Sequence, residues 1–305
     1  MFGQSLLSAF DAAPPLVPAD NFNTVLYNGN GGTQSITSVG FAPDFTWIKS
    51  TTLAVDHAAF DTVRGATKYL SPSTTGAEGT YSTVLNAFGS NGFTVGSNAG
   101  VNFSGQTYVS WNWKAGGTAV SNTDGTITSQ VSANVYAGFS VITYNGATNA
   151  TADTSNNGGA YWSVAHGLGA APDLVFVKKR NGAGGWYVGG AALGSTGANG
   201  NHLVLNDSAA QVGEANILWG GSQTFNATTF GLGGWDVVNR NGDSYVAYCF
   251  KSISGYSKVG SFVGTGTSGN FVYVGFQPRF VLVKPIYADS WRIVGFNGTY
   301  ELRPN

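Results

Sequence analysis

One ten-residue block recurs three times along the chain. Its pattern, Gly-x-x-Pro-[Asp/Arg]-[Phe/Leu]-x-x-[Ile/Val]-Lys, runs from Gly40 to Lys49, from Gly169 to Lys178 and from Gly275 to Lys284. The block prolines stand at 43, 172 and 278, spaced by 172 − 43 = 129 and 278 − 172 = 106 residues. Such periods exceed those of solenoid repeats and suit whole small domains. A second motif keeps step with the first two blocks. It reads Gly105-Gln-Thr-Tyr108-Val-Ser-Trp111-Asn-Trp113-Lys114 in one copy and Gly242-Asp-Ser-Tyr245-Val-Ala-Tyr248-Cys-Phe250-Lys251 in the other. Smaller echoes agree: Phe22 to Tyr27 and Phe139 to Tyr144 each lead into Asn-Gly, a hairpin-turn signal.

These motifs divide the chain into a distinct N-terminal arm (1–21), a first unit (22–117), a linker or hairpin extension (118–138), a second unit (139–257) and the first half of a third (258–305). By the spacing of the other copies, the second motif of the third unit falls beyond Asn305. Short runs of Val, Ile, Phe, Tyr, Trp and Thr alternate with Gly and Asn, the pattern of strands joined by tight turns. The expected fold is all-β: tandem antiparallel β-sandwich domains, each with its own core.

Only 10% of residues are charged, against roughly 25% in an average soluble domain. With a net charge of −1 and no Lys/Arg cluster, the chain has no electrostatic footprint for nucleic acid. Nothing approaches the roughly 20 apolar residues of a membrane span, and Met1-Phe2-Gly3-Gln4 lacks the basic start of a secretory signal. The lone Cys249 lies in an apolar run, where a thiol is a small buried hydrophobe. In the arm, Phe2, Leu6, Leu7 and Phe10 have helix-like spacing before Ala12 to Pro18 breaks it. They read as a peg that docks the chain onto a larger assembly, against the alternative of a frayed terminus.

Candidate chemistry is sparse. His57, with Asp56, Asp61 and Arg64 close by, could form a general-base cluster, but the second unit has Gly185-Trp-Tyr-Val-Gly-Gly190 near the matching place. A solvated loop is the better reading. His166 reads as a turn or strand-edge residue, and His202 has no nucleophile at a recognisable spacing. No hydrolase elbow, zinc spacing or phosphate loop is present, so neither an enzyme nor a bound cofactor is expected. Loosely held calcium stays open at Asp153 to Asn157 and at Asn239 to Asp243, where ordinary Asx turns explain the composition as well. Among the tryptophans, Trp47 and Trp111 hold repeat-equivalent strand positions and read as core. Trp162, Trp186 and Trp219 lie where the units diverge and are the candidates for stacking on a sugar ring.

The blocks, together with Phe60-Asp-Thr-Val-Arg-Gly-Ala-Thr-Lys-Tyr-Leu70 and the stretch from Trp111 to Thr126, resemble a family of tailed-bacteriophage structural proteins often described as tail-fibre or lectin-like. The resemblance runs from Phe22 to the end and implies concanavalin-, jelly-roll- or SPRY-like sandwiches with no catalytic residues. It implies a place on the virion, on the tail or the capsid exterior, with other virion proteins as partners. A homo-oligomer, a trimer by analogy with fibres, and a host-surface glycan as ligand follow from the same likeness. The expected function is a non-enzymatic virion surface protein, a tail-fibre or appendage subunit anchored by its N-terminus. The alternatives are a capsid decoration protein and the N-terminal part of a polysaccharide-degrading tailspike.

Overall fold

The structure, a computed structural model, describes residues 16–148, 150, 161–196, 200–213, 217–220, 224–294 and 301–304. The docking candidates Phe2, Leu6, Leu7 and Phe10, and the calcium candidates Asp153 to Asn157, lie outside the described residues. The first unit contains β1 (Phe22–Asn28), β2 (Gln34–Ile36), β3 (Phe45–Ser50), β4 (Ala58–Asp61), β5 (Lys68–Tyr69), β6 (Gly79–Thr80), β7 (Leu85–Gly89), β8 (Gly92–Val95), the one-turn helix α1 (Ala99–Asn102) and β9 (Thr107–Trp113). Next come β10 (Val120–Asn122) and β11 (Ser129–Asn134). The second unit holds β12 (Phe139–Asn145), β13 (Trp162–Ala165), β14 (Leu174–Lys179), β15 (Trp186–Gly189), β16 (Leu203–Val204), β17 (Thr229–Leu232) and β18 (Ser244–Phe250). The third adds β19 (Val281–Val283), β20 (Arg292–Val294) and β21 (Glu301–Leu302).

Every pairing between these strands is antiparallel, and the repeats share one wiring. The main sheet of the first unit runs β1-β9-β3-β4, and that of the second runs β10-β11-β12-β18-β14-β15-β16. In each, the second sequence motif is the central strand, inserted between the unit's first strand and its block strand. β9 aligns Trp113 with Phe45 and Tyr108 with Ser50, while β18 aligns Phe250 with Leu174 and Tyr245 with Lys179. Residues 118–138 form a hairpin whose β11 extends the second sheet beside β12. A second layer covers each main sheet: β2-β8-β7 over the first, β13-β17 over the second.

The motif residues explain this shared wiring. The block glycines Gly40, Gly169 and Gly275 have φ of 93°, 69° and 88°, a left-handed turn that residues with a Cβ rarely adopt. One step past the block proline, the Asp44 and Asp173 N–H groups donate to the Trp113 and Phe250 carbonyls. Their carboxylates accept from the amides of Ala115 (2.8 Å) and Ser252 (2.7 Å), fixing the exit of the central strand. The motif tyrosines stack on the first strand, Tyr108 on Tyr27 at 5.3 Å and Tyr245 on Tyr144 at 5.1 Å. Each motif hydroxyl accepts one backbone N–H and donates to one carbonyl, so these buried phenols carry no unpaired polar atom.

The units are not independent beads. Along β9, Tyr108 faces the first unit's own core, while Val109, Trp111 and Trp113 face the opposite way. Along β18, Tyr245, Ala247 and Cys249 face the second unit's core, and Val246 and Tyr248 turn away from it. Both outward-turned sets meet in one central core, joined by Phe45, Trp47, Phe176 and Trp186, with Trp291 and Ile293 of the third unit. The chain is therefore an all-β sandwich-type protein whose main sheets are buried on both faces. The first two units each keep a core of their own, as expected of tandem sandwiches, and the backs of their main sheets share the central one. Continuous apolar runs such as Tyr245 to Phe250 mark strands buried on two sides.

Candidate functional site

The loop that leaves β4 carries the densest group of charges. Arg64 follows Asp61 by three residues, and its N–H donates to an Asp61 carboxylate oxygen at 2.8 Å, closing the turn. The guanidinium is then surrounded. Nε donates to Asp61 at 2.5 Å, Nη1 to Glu78 and to the Lys68 carbonyl, and Nη2 to the Ala59 carbonyl and the Tyr248 hydroxyl. All five of its N–H donors have partners. Tyr248 donates its own proton to Asp61 at 2.7 Å, and Arg180 grips Glu78 with two bonds of 3.0 Å. Burial alone would lower the Arg64 pKa, but the charges of Asp61 and Glu78, with the hydrogen bond to Asp61, overcome it and hold the group above its ordinary value. Glu78, which burial would raise, is held below the carboxylate range by Arg180 and Arg64.

This loop is not solvated, as the sequence suggested. The side chains of Asp61 and Arg64 are wholly buried, because Arg180 and Tyr248 come from the second unit and close over them. The cluster is a polar rivet between two repeats that the central core holds face to face. Its charges are paired: Asp61 with Arg64, and Glu78 with Arg64 and Arg180.

The three histidines are likewise engaged. His57 is buried; Trp47 donates to its Nδ1 at 2.8 Å, which makes the ring an acceptor there and leaves Nε2–H to donate to the Arg303 carbonyl at 3.1 Å. Burial, with the nearby Lys49 charge, pushes its pKa down to about 3. His166 directly follows the last residue of β13 and is buried there: it accepts from the Leu168 amide at Nδ1 and bonds the Asn226 carbonyl through Nε2. His202 bonds the Gly200 carbonyl and packs beside Trp235. Cys249 is buried, and burial raises its thiol well above the ordinary value.

The tryptophans proposed for recognition are core residues. Trp162, Trp186 and Trp219 are 6%, 1% and 0% exposed. Trp186 donates to the Ser71 carbonyl at 2.7 Å, another tie between units. Trp219 packs so closely on Gly189 that any Cβ there would lie 2.3 Å from the indole. None can stack on a sugar from outside: Trp162 opens β13, Trp186 opens β15, and Trp219 lies in the segment before β17, all with the indole in a core. Trp47 and Trp111 are core too. In the remaining calcium candidate, Asn239 is tied to Ala147 and Gly233, and Asp243 pairs with Lys179 at 2.6 Å. Among the described residues no group of three or more His, Cys, Asp or Glu is placed to hold a metal ion.

Two open clefts lie on the surface. One, of about 650 Å³, is lined by Lys49, Asp56, His57, Tyr69 and Arg303. The other, of about 420 Å³, lies at the junction of the first two units beside Asp44, Lys114, Asn134 and Tyr136. In the first, Ser73 also lines the wall and accepts the His57 backbone N–H at 3.1 Å, while both ring nitrogens of His57 are bonded elsewhere. Four exposed aromatics lie in the third unit, Phe262, Phe271, Tyr273 and Tyr287, and four more, Tyr81, Phe103, Tyr136 and Tyr161, lie elsewhere on the surface.

Residues 17–298 match a protein family described as a domain of unknown function, DUF7483. No curated protein matches the chain, and no solved structure does.

Proposed function

The chain belongs to the DUF7483 family, and from that premise we propose that it is a non-enzymatic structural protein of a bacteriophage virion, an appendage or tail-fibre subunit that displays a rigid β body outward. The observation that carries the reading is where the charged and titratable groups go. Asp61, Arg64, Glu78, Arg180 and Tyr248 join repeat to repeat, and the histidine rings bond the protein's own backbone. A chain that uses its scarce ionisable groups as internal ties resists proteolysis and local opening, which suits a particle exterior. The likeness to tailed-phage structural proteins supports the same reading, and the low charge is compatible with it. Anchoring falls to residues 1–21 and outward display to the sandwiches, with a host-surface glycan as the recognised ligand.

The test is quantitative mass spectrometry of purified phage particles, with immunogold labelling. A handful of copies per particle, located at the tail, is the expected result. Hundreds of copies over the shell would favour capsid decoration, and absence from the particles would refute the proposal.

A further inference from the structure

We propose that the cleft beside Lys49, the block lysine of the first unit, binds a saccharide ring that carries a carboxylate. This deepens the reading of a glycan as the recognised ligand and rests on it. The two repeats treat one position differently. In the second unit Lys178 pairs with Trp186 across β14 and β15, and a loop of the first unit covers both. Thr75 offers its carbonyl to Lys178 and to the Gly184 amide, and Ser71 offers its own to the Trp186 indole. In the first unit the equivalent pair is Lys49 and His57, one step beyond the Ile48–Ala58 pair of β3 and β4. There the Arg303 carbonyl meets the His57 ring, and beside Lys49 lies the cleft of about 650 Å³. That volume falls within the roughly 300–1,000 Å³ of small-molecule sites.

The side chains that line the cleft hold unspent donors. Lys49 gives one N–H to the Val55 carbonyl at 2.6 Å and a longer one to Leu53, which leaves a third. Half-buried, it forms no ion pair among the described residues, and Asp56 attracts it only from farther off. Ser73 accepts the His57 backbone N–H and keeps its own hydroxyl proton. Asn98 accepts the Gly100 N–H through Oδ1 at 2.8 Å, so its Nδ2 protons are left over. Against these donors stands the exposed carboxylate of Asp56.

A half-buried cation without a contacting anion, set among further donors, fits a ligand that is negative and rich in acceptors. Tyr69 narrows the class. Its ring lines the cleft and is fixed against Phe60 and Tyr81, both at 6.0 Å. A bare inorganic anion would use neither that aromatic wall nor Asp56. A sugar acid uses both: the ring packs on Tyr69, one hydroxyl donates to Asp56, another accepts from Ser73, and the carboxylate takes Lys49 and Asn98.

The probe is glucuronate, titrated into the whole isotope-labelled protein and followed by backbone-amide shifts, with glucose and inorganic sulfate titrated in parallel. The expected result is saturable change confined to residues 49–57, 69–73 and 98–101, with a Kd in roughly the millimolar range for a single ring and binding of glucose at least about tenfold weaker. Asn98→Asp keeps the acceptor for the Gly100 N–H and puts a carboxylate where the donor was. It should weaken glucuronate about tenfold or more and leave glucose unchanged. Lys49→Met should do the same, whereas Lys258→Met, at an exposed position outside the cleft, should change neither. No saturable change, or change mapped elsewhere, would overturn the site, and the wild-type map decides this even if a variant fails to fold. Equal binding of glucose would overturn the carboxylate requirement while leaving a glycan as ligand. An equal response to sulfate alone would mark a general anion site and overturn the saccharide. Copy number on the particles tests the virion reading separately.

Discussion

Arg64→Met is the most direct challenge to the rivet between the first two repeats. Methionine fills much of the arginine's volume but removes all five donors. Glu78 keeps its two bonds from Arg180. Asp61 keeps only the Tyr248 hydroxyl at 2.7 Å and the backbone N–H of residue 64 at 2.8 Å, with its side chain fully buried and its countercharge gone. Removing one partner of a buried ion pair costs about 3–5 kcal/mol, mostly the desolvation of the charge left behind. At roughly 2 °C per kcal/mol for a chain of this size, the melting temperature should fall by roughly 6–10 °C. Urea denaturation of wild type, Arg64→Met, Tyr248→Phe and their double variant would measure both loss and coupling. The double variant should show an interaction energy of at least about 1 kcal/mol, because the two side chains share Asp61 across the repeat boundary. The pair Asp61→Asn with Arg64→Met should recover part of the loss by removing the stranded charge. A destabilisation below about 1 kcal/mol, with additive effects, would refute the rivet and return the loop to solvent.

Three further outcomes are expected. His57 has an unfolded value near 6.5 and a folded value of about 3, so its contribution is complete above pH 6.5 and is lost as pH falls toward 3. At ~1.4 kcal/mol per pH unit the loss is about 2 kcal/mol by pH 5, and His57→Phe should flatten that acid slope in urea titrations at pH 7.5 and 5. Lys178 is fully buried, bonds only carbonyl oxygens, and is lowered to about 8 by burial and then by the Lys179 and Arg64 charges. Its contribution is complete above pH 10.5 and lost as pH falls through 8, so Lys178→Met should stabilise the protein by about 2 kcal/mol at pH 7 and progressively less toward pH 10. Trp219→Ala should cost about 3–5 kcal/mol as a core deletion. In wild type, Trp219 should resist acrylamide quenching, whereas ready quenching of that indole would contradict its burial.

How much could be read in advance depended on whether a residue's role is local. The left-handed glycines, the Asn-Gly turns and the alternating aromatic strands act through their own backbone and near neighbours, so the repeat, its strands and the all-β class are visible in the sequence. Trp47 and Trp111 read as core because the repeat put large residues at the same strand positions. Trp162, Trp186 and Trp219 misled because divergence between copies looks the same whether a loop reaches for a ligand or fills a cavity peculiar to its own unit.

The sequence by itself determined the repeated unit and its strand-and-turn pattern, since these are properties of order along the chain. Only the tertiary structure decided that the units face one another. Whether the back of β9 or β18 meets water or another sheet depends on residues more than a hundred positions away. That same packing turned Asp61 and Arg64 from an apparent surface pair into a buried lock, because the groups that bury them, Arg180 and Tyr248, belong to a different repeat.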